Sequence, residues 1–173
     1  MGHHRHVCPG VEEEPRMSRL ILMCGMAGAG KSTYARTLED RGWVRFSIDA
    51  EAWGRGFTGS SAVPPEVAAD IRAGQRVAIS DALGAGADVV VDYAFPSRAM
   101  RDEYRELGRT HRAEVEVVFL DTDASLVRDR LTRRRGSHPD DVVVDEGTME
   151  AYRSAFEAPT SDEGEVTVIR TPR

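Results

Sequence analysis

The sequence predicts a three-layer αβα sandwich built on a five-stranded parallel sheet, and three observations carry that prediction. Short apolar runs alternate with longer amphipathic stretches from Arg19 to Ile169. The short runs are apolar at nearly every position, as in Val89-Val90-Val91, which is how strands buried on both faces read. The segments between successive runs are long enough to hold a helix, as the connection between parallel neighbours requires. With 173 residues, 40% of them apolar, the chain suffices for one such domain around one core.

In chain order, residues 1–16 (MGHHRHVCPGVEEEPR) lack periodicity and read as a tail or added segment, although His3, His4 and His6 offer metal donors. The domain then covers 17–173. Arg19–Cys24 is the first strand and runs into glycines. Lys31–Arg41 is a helix stopped by Gly42. Val44–Ile48 is the second strand, with Asp49 at its C-terminal end, either as a functional carboxylate or as N-cap of a short helix over Ala50–Trp53. Residues 54–62 (GRGFTGSSA) form a loop. Pro64-Pro65 opens a long helix reaching Gly84. Asp88–Asp92 is the third strand. Ser97 is placed to cap a helix ending near His111. Val115–Leu120 is the fourth strand, Ala124–Arg135 an arginine-ended helix, 136–145 a polar loop and Glu146–Phe156 another helix. Val166–Ile169 closes the sheet. No repeat of fixed period and no mid-chain linker divides the chain.

The totals narrow the function classes. A net charge of −6 and a pI near 5.4 argue against a polyanion-coating protein. No apolar run approaches the ~18 residues of a membrane span, and residues 1–16 lack the apolar centre of a signal peptide. Two cysteines, one of them Cys24 inside a strand, make a disulfide framework unexpected and point to a reducing cytoplasm. Oligomeric state is not legible.

The chemistry begins where the first strand ends. Gly25-Met26-Ala27-Gly28-Ala29-Gly30-Lys31-Ser32 fits the template G-x-x-x-x-G-K-[ST] between a strand and a helix. Glycines let backbone N–H groups converge on phosphate oxygens, and the following helix adds its positive end. Lys31 can reach β- and γ-phosphates. The Ser32 hydroxyl suits Mg²⁺, and Thr33 extends the phosphate contacts. ATP with Mg²⁺ is the expected nucleotide. The Asn-Lys-x-Asp guanine motif of switch GTPases is absent, as is the paired acidic end of a motor or ring ATPase strand. Protein kinases use a different glycine loop and a His-Arg-Asp loop. A compact kinase for a small acceptor is left.

Such an enzyme needs a carboxylate at the acceptor hydroxyl, a group near the metal and mobile cations over the transferring phosphoryl. Asp49 suits the first role, since one helix and one strand return the chain from Lys31 to the same sheet edge. Asp92, ending the third strand, suits the second, through a metal-bound water or the acceptor, or else closes the strand structurally. Arg128, Arg130, Arg133, Arg134 and Arg135 suit the third, with Arg130 and Arg134 sharing a helix face and a lid spanning about 130–146. Each arginine could equally be solvated helix charge.

The blocks GMAGAGKST, SID ending at Asp49, VVVDYAFPSRAMRDEYRELG and VVFLDTDASLVRDRLTRRR, followed by MEAYRSAFE, run from Leu20 to Val168. In these the chain resembles the small P-loop kinases with an AAA-type ATP-binding domain. That group includes the kinase domain of bacteriophage polynucleotide kinase and the zeta-toxin-like and antibiotic phosphotransferases. The resemblance implies Asp49 as acceptor base and Lys31, Ser32 and Thr33 on ATP and Mg²⁺. It further implies Asp92 and Arg98 near the acceptor or phosphates, Arg130 and Arg134 as lid arginines on ATP, and an adenine site near Val168–Thr171. Polynucleotide kinases carry basic residues soon after the base aspartate. Here Asp49-Ala50-Glu51-Ala52-Trp53 follows, which disfavours a nucleic-acid end. Glu51 could face an amine or guanidine, and Trp53, Phe57 and Tyr93 could wall a small organic acceptor or simply fill the core. The expectation is an ATP-dependent phosphotransferase acting on a hydroxyl, less readily a nitrogen, of a small molecule such as an antibiotic or secondary metabolite. A 5′-polynucleotide kinase and a nucleotide-dependent binding or switch protein are the alternatives.

Overall fold

The computed structural model describes residues 16–58, 63–141, 143 and 145–172. The histidines and Cys8 of the N-terminal tail, the tip of the 54–62 loop and part of the 136–145 loop lie outside the described residues. Five parallel strands stand in the order β2-β3-β1-β4-β5: β1 (Arg19–Cys24), β2 (Val44–Phe46), β3 (Val89–Val91), β4 (Glu114–Thr122) and β5 (Glu165–Thr171). The helices are α1 (Lys31–Glu39), α2 (Ile48–Gly54), α3 (Pro65–Gly84), α4 (Arg98–Thr110), α5 (Ala124–Thr132) and α6 (Glu146–Ala155), with a 3₁₀ turn at Ser161–Glu163 before β5.

Alternation along the buried strands sorts the core into two layers. Leu20, Leu22, Cys24, Val89 and Val91 pack with Ile79 and Leu83 of α3 and Tyr104 of α4. Ile21, Met23, Val90 and Val118 face the other way, onto Ala35 and Leu38 of α1. The neighbouring strands β1 and β3 therefore lead into helices on opposite faces. Such a switch point opens a crevice beyond the strands' carboxyl ends.

Several boundaries differ from the sequence reading, and two of them bear on the site. β2 stops at Phe46 because Ser47 caps α2, its hydroxyl accepting the Ala50 N–H. Asp49 thus sits in the first turn of α2 and is not its cap. The arginine-ended helix closes at Thr132, and Arg133 to Arg135 follow it in irregular chain. Ser97 caps α4 as read from sequence, accepting from the Met100 N–H. No helix among the described residues is long and apolar enough to cross a membrane.

Candidate functional site

The crevice is a cleft of about 960 Å³ lined by the whole run Gly25–Thr33, by Ile48 and Asp49, and by Asp92–Pro96 of the β3–α4 connection. Its floor is built by glycine geometry. Gly25 has φ +141°, and a Cβ there would stand 2.9 Å from the Leu120 carbonyl oxygen. Gly28 has φ +82°, and a Cβ there would press the Leu131 side chain at 3.2 Å. Side chains at these positions would strain the backbone and push the loop off α5. The Gly25 N–H donates to Ala94 O at 3.2 Å, tying the two cleft walls together. Phe95, fully buried, takes φ 45°, a conformation that non-glycine residues adopt at a cost.

Lys31 opens α1, and its ammonium donates to Met26 O at 2.9 Å. Burial pulls it below the ordinary lysine range, against the charges of Asp92 and Asp49. Asp49 is open to the cleft yet ringed by protein. That desolvation, with repulsion from Asp92, raises its carboxyl above the ordinary range, while Lys31, Arg134 and Arg45 oppose the rise. Asp92 is buried and accepts from Arg45 at 2.6 Å, a charge-assisted bond deep in the wall. Ser32 and Thr33 line the cleft beside these carboxylates. Among the described residues no cluster of three or more metal-ligating side chains occurs.

The arginines separate. Arg130 donates to Gly28 O at 3.1 Å and Ala29 O at 3.3 Å, so it braces the glycine loop from α5. Arg134 lines the cleft, its guanidinium pulled down by burial and held against that by Asp141 and Asp49. Arg128 and Arg133 are exposed and lie outside the cleft. Arg135 is spent on its own segment, donating to Thr132 O and Arg134 O while its N–H bonds Asp141.

Of the other residues singled out by sequence, Tyr93 lines the cleft and stacks on Phe95, but Trp53 and Phe57 do not line it. Arg98 stands apart as well: it opens α4 facing the 3₁₀ turn, where Asp162 takes its guanidinium at 2.7 Å. Glu51 does not line the cleft; Arg55 and Gln75 each bond one of its oxygens at 2.6 Å. Ile169 and Thr171 of β5 reach the cleft; Val168 is exposed outside it.

Sequence reasoning missed Arg45, Asp140, Arg36 and Arg72. Arg45 bonds Asp92 and, at 2.8 Å, Asp140 of the polar loop; Arg36 pairs with the same Asp140. Ninety-five residues separate Arg45 from Asp140, so no local pattern announces the pair.

A family model described as an AAA domain matches residues 20–159. Among solved structures, the fold matches a sugar kinase from Janibacter sp. HTCC2649 at TM-score 0.62 and 21% identity, covering 88% of this chain and 85% of that one. Kti12 from Chaetomium thermophilum, in complex with ADP-AlF3, matches at TM-score 0.68 and 21% identity, over 88% and 89%. A chain of the Pnkp1/Rnl/Hen1 RNA repair complex matches at TM-score 0.66 and 19% identity, over 85% of this chain and 46% of that one. At these identities the likeness is one of fold, and the fold is that of the P-loop kinases.

Proposed function

The chain belongs to this AAA-domain family, and we propose that it is an ATP-dependent phosphotransferase that moves the γ-phosphoryl group to a hydroxyl of a small molecule. The observation that carries the reading is the meeting of Asp49 with the Gly25–Ser32 loop in one cleft. A triphosphate cradle alone would suit a switch or a hydrolase. A raised carboxyl beside a lowered lysine suits proton removal at the point of transfer.

In this reading the N–H groups of Gly30–Thr33, at the start of α1, and the Lys31 ammonium hold the phosphates in line. Asp49 accepts the hydroxyl proton as the acceptor oxygen bonds the γ-phosphorus. The bond from phosphorus to the β–γ bridging oxygen breaks, ADP departs, and the proton passes from Asp49 to solvent. Arg134 approaches the γ-phosphoryl from the 136–141 side, while Arg130 keeps the glycine loop in shape. The donor set of the Ser32 hydroxyl and the Asp92 carboxylate is all oxygen and fits Mg²⁺, completed by phosphate oxygens. When bound, the ion would neutralise phosphate charge. The Arg45 bond fixes Asp92 in place for that task. The chain's acidity and the lack of basic residues just after Asp49 support a small acceptor over a nucleic-acid end.

The test is the Asp49→Asn variant with γ-labelled ATP. Binding of an ATP analogue should match wild type in calorimetry while transfer to any accepted hydroxyl collapses. Wild-type transfer rates in Asp49→Asn would overturn the base assignment. Phosphorylation confined to oligonucleotide 5′ ends would overturn the small-acceptor reading.

A further inference from the structure

We propose that Arg72 sets acceptor specificity, and that the acceptor carries, besides its reactive hydroxyl, a separate oxyanion that Arg72 grips. The proposal deepens the phosphotransferase reading and rests on it.

Ile48, Asp49, Arg72, Tyr93, Phe95 and Met100 all line the cleft. Elsewhere in the cleft Lys31 donates to Met26 O, Arg130 to Gly28 O, and Arg36 pairs with Asp140. Arg72 makes no hydrogen bond or ion pair among the described residues. One turn further along α3 the contrast is direct. Arg76 pairs with Glu103 and lies 5.9 Å over the Tyr104 ring.

Yet the helix under Arg72 is firmly held. Ile71, Gln75 and Ile79 form its buried ridge, and Gln75, three residues on from Arg72, is fixed from three directions. It donates to Ser47 O at 3.0 Å and to Glu51 at 2.6 Å, and accepts from the Tyr93 hydroxyl at 2.6 Å. Burial raises the hydroxyls of Tyr93 and Tyr104, and the Arg72 charge acts against that rise. Arg72 is thus an open fork on a rigid base, the form that grips carboxylate or phosphate through two parallel bonds.

Charge balance points the same way. An anionic acceptor entering beside Asp49 and Asp92 meets repulsion unless a cation there offsets it, and Arg72 is that cation. A neutral acceptor would leave it unmatched.

The test fills the cradle with a non-hydrolysable ATP analogue and Mg²⁺, then titrates paired probes by calorimetry: glycerate against glycerol, gluconate against glucose, and a nucleoside 3′-monophosphate against its nucleoside. Wild type should bind at least one anionic member tenfold or more tighter than its neutral partner. Arg72→Ala should level the pair and Arg72→Lys should keep part of the preference, with analogue affinity unchanged in both. Preference for the nucleotide pair alone identifies phosphate as the oxyanion; preference for the acid pairs identifies carboxylate. Absence of any charge preference, or one that survives Arg72→Ala, overturns the proposal. Failure of the analogue to bind wild type would overturn the phosphotransferase reading instead.

Discussion

Arg101, Arg105 and Glu163 form one charge cluster, Lys31, Asp49, Asp92 and Arg134 another, and the balance between burial and partner charges falls in opposite ways in the two. In the first, Arg101 bonds both Glu163 oxygens at 2.8 Å and also holds Phe95 O and Glu157 O. Glu163 is pushed down to about 2, because the Arg101 bonds, joined by the Thr160 N–H and Arg105, outweigh its desolvation. In the second, desolvation wins: Asp49 rises and Lys31 falls despite their mutual attraction. In the closed cluster the Arg101–Glu163 pair answers its own charges and pins the α6–β5 connection to α4. The open cluster leaves its charges incompletely answered, as a site that must meet a ligand does.

Asp49→Asn should break the open cluster's chemistry most, lowering single-turnover transfer by about 10²–10⁴-fold. With the repulsion from Asp92 removed, the ligand-free variant should melt no lower than wild type in a thermal scan, the trade expected at a working site. Glu163→Ala should do the reverse. Two arginines lose their buried partner, so denaturant unfolding should show a loss of about 3–5 kcal/mol, with kcat per folded molecule little changed. Lys31→Met should cost about 10²–10³-fold in kcat, and its stability should stay within about 1 kcal/mol of wild type, because only one internal bond is lost.

The smallest effect is one of pH, and its signs separate the clusters. Asp49 must be ionised to accept a proton and its folded value is raised. The acid limb of kcat/KM should therefore lie above the usual carboxylate range and vanish in Asp49→Asn. Glu163 has a depressed folded value, so its stabilisation is full above the unfolded value near 4.5 and drains as pH falls toward about 2. Activity should fail at a higher pH than the fold does. An acid limb that tracks unfolding would merge the two clusters into one.

The open cluster was the more legible in sequence, and distance along the chain explains why. Gly25–Ser32 is one contiguous motif whose glycine spacing is itself the mechanism, and β1 is apolar at nearly every position because both faces are covered. The edge at Asp49 was misjudged by local chemistry alone: Ser47 and Asp49 are both capping residues, and the chain uses the serine. The resemblance implies Arg98 near the acceptor or phosphates, but the start of α4 turns it toward Asp162. The Arg101–Glu163 pair spans 62 residues and the Arg45–Asp140 pair 95, and neither arginine differs in sequence from its solvated neighbours. Such pairs are fixed by tertiary packing, which periodicity does not encode.

The central claim, transfer over hydrolysis or mere binding, is tested most directly by ³¹P NMR of wild-type protein with ATP, Mg²⁺ and a hydroxyl-acceptor panel. The account predicts a new phosphate monoester appearing one for one with ADP, and both products slowed by about 10²–10⁴-fold in Asp49→Asn. ADP accompanied only by inorganic phosphate, or ATP bound and left intact in the presence of every acceptor, would contradict it.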